Sequence, residues 1–65
     1  MDEYKEGDIV IIAAGEDWPE HLFWVHETYE DCVTGYSLTG PLAGVYGEPP
    51  HDLIIGPYDG RPLGL

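Results

Sequence analysis

Three histidines, one cysteine and three adjacent carboxylate pairs are the residues of this chain whose types could do chemistry. A zinc site needs three or four ligands converging on a tetrahedron. His21 and His26 stand five apart, and strand side chains alternate, so a strand there puts them on opposite faces. With His51 and Cys32 they form no Cys-x-x-Cys or His-x-His pair to anchor a site. No metal or other cofactor is therefore expected. Cys32 follows Glu30 and Asp31, whose charge raises a thiol pKa and opposes nucleophilic use. The pairs Asp2-Glu3, Glu16-Asp17 and Glu30-Asp31 fall in the lead-in and in loops. Glycosidases need two carboxylates across a substrate cleft, and so short a chain offers little cleft. The stretch GPLAG from Gly40 to Gly44 lacks the lysine, serine or helix that would complete a phosphate loop. The expectation is a protein that is not an enzyme.

The aromatic residues are better functional candidates. Trp18, Trp24, Tyr29, Tyr46 and Tyr58 outnumber what so small a core requires. Exposed aromatics beside acids can cradle cations or basic peptides, and aromatics are enriched at interfaces. The candidate contact residues are Trp24, His26 and Tyr29, with Glu30 and Asp31 beside them. Trp18 lies in a loop, where a tryptophan commonly forms a lid over one end of a small core.

Charge narrows the partners. Thirteen Asp and Glu face two basic residues, for a formal charge of −11. Such a field repels nucleic acid and anionic membranes and attracts basic partners, while also serving solubility. With 65 residues the chain has room for one domain, residues 1–65, and a modest core. A hydrophobic fraction of 43% is too high for a disordered chain. No run approaches the roughly 18 apolar residues that span a membrane. The acidic N-terminus MDEYKEGD lacks the basic region of a secretory signal, and Cys32 alone makes no internal disulfide. A cytoplasmic setting is expected.

The elements that must position these residues are strands. Ile9 to Ala14 is β-branched and bounded by glycines, and it is apolar on both faces, so it calls for cover on both, or at least at one end. Glu20 to Thr28 is a second strand, with Phe23 and Val25 on one face and Leu22, Trp24 and His26 on the other. Cys32 to Thr39 is a third, interrupted by Gly35, which marks a bulge, a bend or a close backbone approach. Leu42 to Tyr46 and His51 to Ile55 complete the set, separated by the rigid turn Gly47 to Pro50. The tail 58–65 is expected to run over the surface or add one short pairing.

Two hairpin registers are open. A three-residue loop pairs Trp24 with Tyr36 and Leu22 with Leu38. A four-residue loop pairs Val25 with Tyr36 and Phe23 with Leu38. A slip of one residue exchanges the faces. The second register gathers the more uniformly apolar set, so Phe23, Val25, Tyr36 and Leu38 are expected inside and Trp24 largely outside. Ile9, Ile11, Leu42 or Val45, Leu53 and Ile55 are expected to fill the same core.

Five short strands bent by glycines predict an all-β protein, a small closed or nearly closed barrel. Gly7-Asp8 leading into Ile9 to Ala14, the long loop with Trp18, the central hairpin, and the fourth strand turning quickly into the fifth resemble an SH3-like barrel over about residues 5–57. The resemblance implies the fold and no binding residues, because the Ala-Leu-Tyr-Asp-Tyr stretch of peptide-binding SH3 domains is absent. DCVTGYSLTGPLAGVYGEP is also similar to small proteins of phage or marine bacterial type, a likeness that implies no activity. The functional expectation is a non-enzymatic interaction module that binds another protein, a basic one given the charge, or itself as a homo-oligomer. The alternative is an acidic nucleic-acid mimic that occupies a host protein's DNA- or RNA-binding surface. Direct binding of nucleic acid or membrane is not expected.

Overall fold

A computed structural model describes residues 4–58 of the chain. The tail expected to run over the surface lies outside these residues, apart from Tyr58.

Five antiparallel strands form one sheet: β1 (Ile9–Ile12), β2 (His21–Thr28), β3 (Val33–Ser37), β4 (Tyr46–Gly47) and β5 (Ile54–Pro57). Their order is β4-β3-β2-β1-β5. The all-β, five-stranded expectation holds, but the sheet is not closed into a barrel, because β4 and β5 are its two edges and do not pair. The edges are blunted by other means. β4 is two residues long and runs into Pro49-Pro50, while β5 ends on Pro57, whose missing N–H is tolerated at an edge.

The core lies on one face. Val10, Ile12, Phe23, Val25 and Val33 are its buried residues, with Tyr4, Leu53 and Ile54 packed against it. A 3-10 turn at His51–Leu53 carries the chain from the β3 side back to β1. It enters with the His51 N–H donating to Asp31 O at 3.4 Å, and leaves where Leu53 O accepts from Ala13 N at 2.8 Å. This turn shifts the fifth strand from the expected His51 to Ile55. Leu53 and Ile54 then face the core, and Ile55 stays exposed.

Three further core assignments are corrected. In β1 it is Val10 and Ile12, opposite Phe23 and His21, that point inward, and Ile9 and Ile11 that point out. All four residues are apolar, so alternation could not choose between the faces. Tyr36 and Leu38, expected inside, are each 40% exposed. Val45 is exposed and Leu42 only partly buried, because residues 40–44 form a turn rather than a strand. Gly40 and Gly44 sit there at φ of 80° and 84°, in the left-handed region that glycine alone enters freely, and the Gly44 N–H donates to Ser37 O at 2.7 Å.

The hairpin register explains Tyr36 and Leu38. Trp24 pairs with Tyr36, Phe23 with Ser37 and Val25 with Gly35, and the ladder then shifts so that Glu27 meets Thr34. The Trp24–Tyr36 pairing belongs to the register not favoured by apolar content, yet Trp24 still faces out. The shift, with His26 as the extra residue of β2, absorbs the mismatch with the loop. Gly35 permits it. A Cβ there would collide with the Trp24 carbonyl, so β2 and β3 approach more closely than any side chain allows.

Gly35→Ala is expected to cost about 2 kcal/mol or more by forcing the two strands apart. Gly56→Ala, where a Cβ meets nothing within 4 Å, is expected to change stability by about 0.5 kcal/mol or less. Urea melts of the two variants check the contrast, and equal costs would contradict the close approach.

Candidate functional site

A sheet with its core on one side leaves its other face to be accounted for. The strand register lines up one residue from each of four strands across that outer face. Ile9 stands opposite Trp24, Trp24 opposite Tyr36, and Tyr36 opposite Tyr46. All four are exposed, Trp24 to 43% and Tyr46 to 51%. A second row lies two residues along: Ile11 pairs with Leu22, and the Leu38 N–H donates to Leu22 O at 2.8 Å. Ile55, on the edge strand, is also exposed. Scattered exposed apolar residues are ordinary, but two contiguous rows on one sheet face make this face the candidate site.

The aromatic rings touch edge to face. Trp24 and His26 have centroids 6.2 Å apart at 78°, His26 and Tyr36 6.4 Å at 73°, and Tyr36 and Tyr46 5.6 Å at 69°. Such pairs hold the rings in place while leaving ring faces open to solvent. Carboxylates are fixed at the margins by tyrosine hydroxyls. The Tyr46 hydroxyl donates to Glu48 Oε2 at 2.9 Å, and the Tyr29 hydroxyl to Glu27 Oε1 at 2.5 Å. These hydrogen bonds to a carboxylate favour the neutral phenol. Together with the charge of Glu27, the bond raises the Tyr29 pKa above its usual 10.0. The bond to Glu48, then burial and that carboxylate's charge, raise the Tyr46 pKa in the same direction.

Of the sequence-predicted contact residues, Trp24 and His26 share the ring series. Tyr29 sits past the end of β2 and shares a shallow depression with His26, Glu27 and Lys5. Glu30 and Asp31 are exposed at the hairpin tip, beyond the ring series. The tip is braced from behind: His51 Nε2–H donates to Tyr29 O at 2.9 Å, and Tyr29 N to Cys32 O at 2.7 Å. Sequence reasoning missed Tyr36, Leu38 and Ile9 as members of the face. The signal that could have found them was the apolar character of both faces of β1, which demands cover on both.

The remaining chemical candidates are dispersed. His21 is buried on the inner face with Nδ1–H donating to Pro19 O at 2.8 Å, His26 is on the outer face, and His51 is at the hairpin tip. Among the described residues no three His, Cys, Asp or Glu side chains come together as a metal-binding group. Burial pushes the Cys32 thiol pKa up, and Asp31 and Glu48 push it further. Trp18 lies half-buried at one end of the sheet, its Nε1–H donating to Ala13 O at 3.0 Å. With Ile12, Phe23, Leu42 and Leu53 it lines a largely apolar cavity of about 290 Å³, the lid position expected for a loop tryptophan. Among the described residues no helix is long and apolar enough to cross a membrane.

Comparison with protein-family models, curated proteins and solved structures yields no match to this chain. The SH3-like and phage-type likenesses therefore rest on the residues alone.

Both raised phenols can be read by phenolate absorbance, with Tyr29→Phe and Tyr46→Phe identifying their signals. Each is expected to titrate above 10.0, and Glu27→Gln and Glu48→Gln to lower Tyr29 and Tyr46 respectively. A folded-state pKa above the unfolded one means the folded protein holds its proton longer. The associated stabilisation is complete below about pH 10 and is lost as pH rises through the raised values. Phenols titrating at or below 10.0 would contradict the two hydrogen bonds.

Proposed function

We propose that this chain is a small acidic interaction module that binds another protein through the outer face of its sheet and performs no catalysis of its own. The observation that carries this reading is the pair of apolar rows. Ile9, Trp24, Tyr36, Tyr46 and Leu38 are large side chains exposed on that face, with Ile11 and Leu22 half-buried beside them. Leaving such surface in water forgoes about 25 cal/mol for each Å² that a partner would cover.

The strand order, with the fifth strand returned beside the first, supports reading the fold as an unclosed relative of the SH3-like barrel. A lone cysteine fits a reducing, cytoplasmic setting. The mimic reading requires carboxylates along one face. The described acids instead divide between the β1–β2 loop, with Glu16, Asp17 and Glu20, the opposite end, with Glu6, Asp8, Glu30 and Asp31, and the 3-10 turn, with Asp52, while only Glu27 and Glu48 border the outer face. That division favours the interaction module.

The paired variant Trp24→Ala/Tyr36→Ala tests the reading. Both side chains are outside the core, so each substitution is expected to cost about 1 kcal/mol or less, against about 3–5 kcal/mol for Phe23→Ala, whose ring is 2% exposed. The paired variant is expected to lose any protein that the native chain recovers, and any self-association seen by light scattering, with its melting curve nearly unchanged. Recovery of the same proteins by both chains, or a strict monomer that recovers nothing, would count against the reading.

A further inference from the structure

The outer face is not uniform along the strands, and its gradient describes an occupant. At the Leu22 end it is aliphatic, with Ile11, Leu22 and Leu38. Its middle is the row containing Trp24, Tyr36 and Tyr46. At the His26 end it becomes acidic: Glu27 held by the Tyr29 hydroxyl, with Glu48 held by Tyr46 at the β4 edge. Ring faces beside fixed carboxylates suit one class of group, a cationic head on an apolar stem.

We infer that the partner is a lysine- or arginine-bearing extended segment of another protein. It lies along the strands with its apolar residues on Leu22 and Leu38 and its cationic heads over Trp24, Tyr36 and Tyr46, near Glu27 and Glu48. This inference rests on the reading of the outer face as a docking surface and names what docks there. Charge complementarity selects this occupant over a second copy of the chain. Each copy carries −11, and a net charge that far from zero keeps molecules apart, whereas it draws a basic segment in. Of the chain's two basic residues, Lys5 lies against Asp8 at 3.6 Å and lines the depression of His26, Glu27 and Tyr29 at one margin of the ring series. A lysine or arginine head arriving from outside meets aromatic rings and the Glu48 carboxylate along the Trp24, Tyr36 and Tyr46 row, while at the Glu27 margin it shares the carboxylate with Lys5.

The probe is a short peptide bearing lysine and leucine, compared with the same peptide carrying acetyl-lysine, which keeps the stem and removes the charge. Binding is read by calorimetry and by amide and indole shifts in labelled protein. The lysine peptide is expected to perturb Trp24, Tyr36 and Leu38, to bind more weakly as salt rises, and to lose about tenfold in affinity on acetylation. Trp24→Ala/Tyr36→Ala, which keeps the net charge, is expected to lose binding by a similar factor or more. Equal binding by that variant would reduce the effect to diffuse charge attraction and overturn the inference. Equal binding of the acetylated peptide would overturn the basic partner while leaving the docking face standing. A dimer whose interface maps to these residues would do the same and identify the occupant as a second copy. Failure of both peptides, with protein recovery unaffected by the paired variant, would overturn the inference and the docking reading together.

Discussion

The close approach of β3 to β2 at Gly35 is the constraint on which the rest of the sheet depends. The Trp24 carbonyl occupies the space a Cβ would take at Gly35, so the two central strands cross with backbone against backbone. The pairing of Val25 with Gly35 is held there, and the ladder slips immediately beyond it. Before the slip, Phe23 and Val25 enter the core while Trp24 and Tyr36 stand side by side outside it; after the slip, Glu27 pairs with Thr34 and Thr28 with the buried Val33. The Asp8 carbonyl accepts from Val25 N, and Val25 O accepts from Gly7 N, both at 2.8 Å, so the lead-in is tied to the same point. A single glycine therefore permits the close pairing of β2 and β3 at this point.

The resulting fold has one finished side. The core is small, five buried residues with three more packed against it, and the 3-10 turn at His51–Leu53 closes it from below. The other side carries Ile9, Trp24, Tyr36, Leu38 and Tyr46 exposed, with Ile11 and Leu22 half-buried beside them. A domain of this size has little hydrophobic surface to spare. Two rows of large, partly or largely exposed residues are a cost to the isolated chain and, in the proposed docking reading, a source of binding energy. The carboxylates fixed by Tyr29 and Tyr46 give that surface a direction, from aliphatic to acidic, that a purely apolar patch would lack.

Much of the fold was legible in the sequence. β-branched runs separated by glycine and proline marked all five strands, the last two with displaced bounds, and alternation placed Phe23 and Val25 opposite Trp24 and His26. Gly35 was recognisable as a place where the strand bends or another backbone comes near. The register was not legible, because the bulge joins the Trp24–Tyr36 pairing of the three-residue loop to a four-residue loop, and because apolar content favoured the other register. The facing of β1 was hidden because Ile9, Val10, Ile11 and Ile12 are interchangeable by hydropathy. The fifth strand is displaced by a turn whose only sequence mark is Pro49-Pro50 ahead of it. Period set Trp24 and His26 opposite Phe23 and Val25, and the choice of register by apolar content put them outside, while the same choice read Tyr36 and Leu38 as core because apolar character ordinarily signals burial. Barrel closure was the expected remedy for exposed edges, and short strands and prolines supply that remedy instead.

The most direct measurement is collisional quenching of Trp24 fluorescence in a Trp18→Phe chain, where Trp24 is the sole tryptophan, made on the free protein and on its complex with a recovered partner. The indole is expected to be quenched readily in the free protein and shielded in the complex. An indole already shielded in the free monomer would place Trp24 inside and reverse the assignment of faces. An indole quenched equally in both states would show that the partner docks elsewhere.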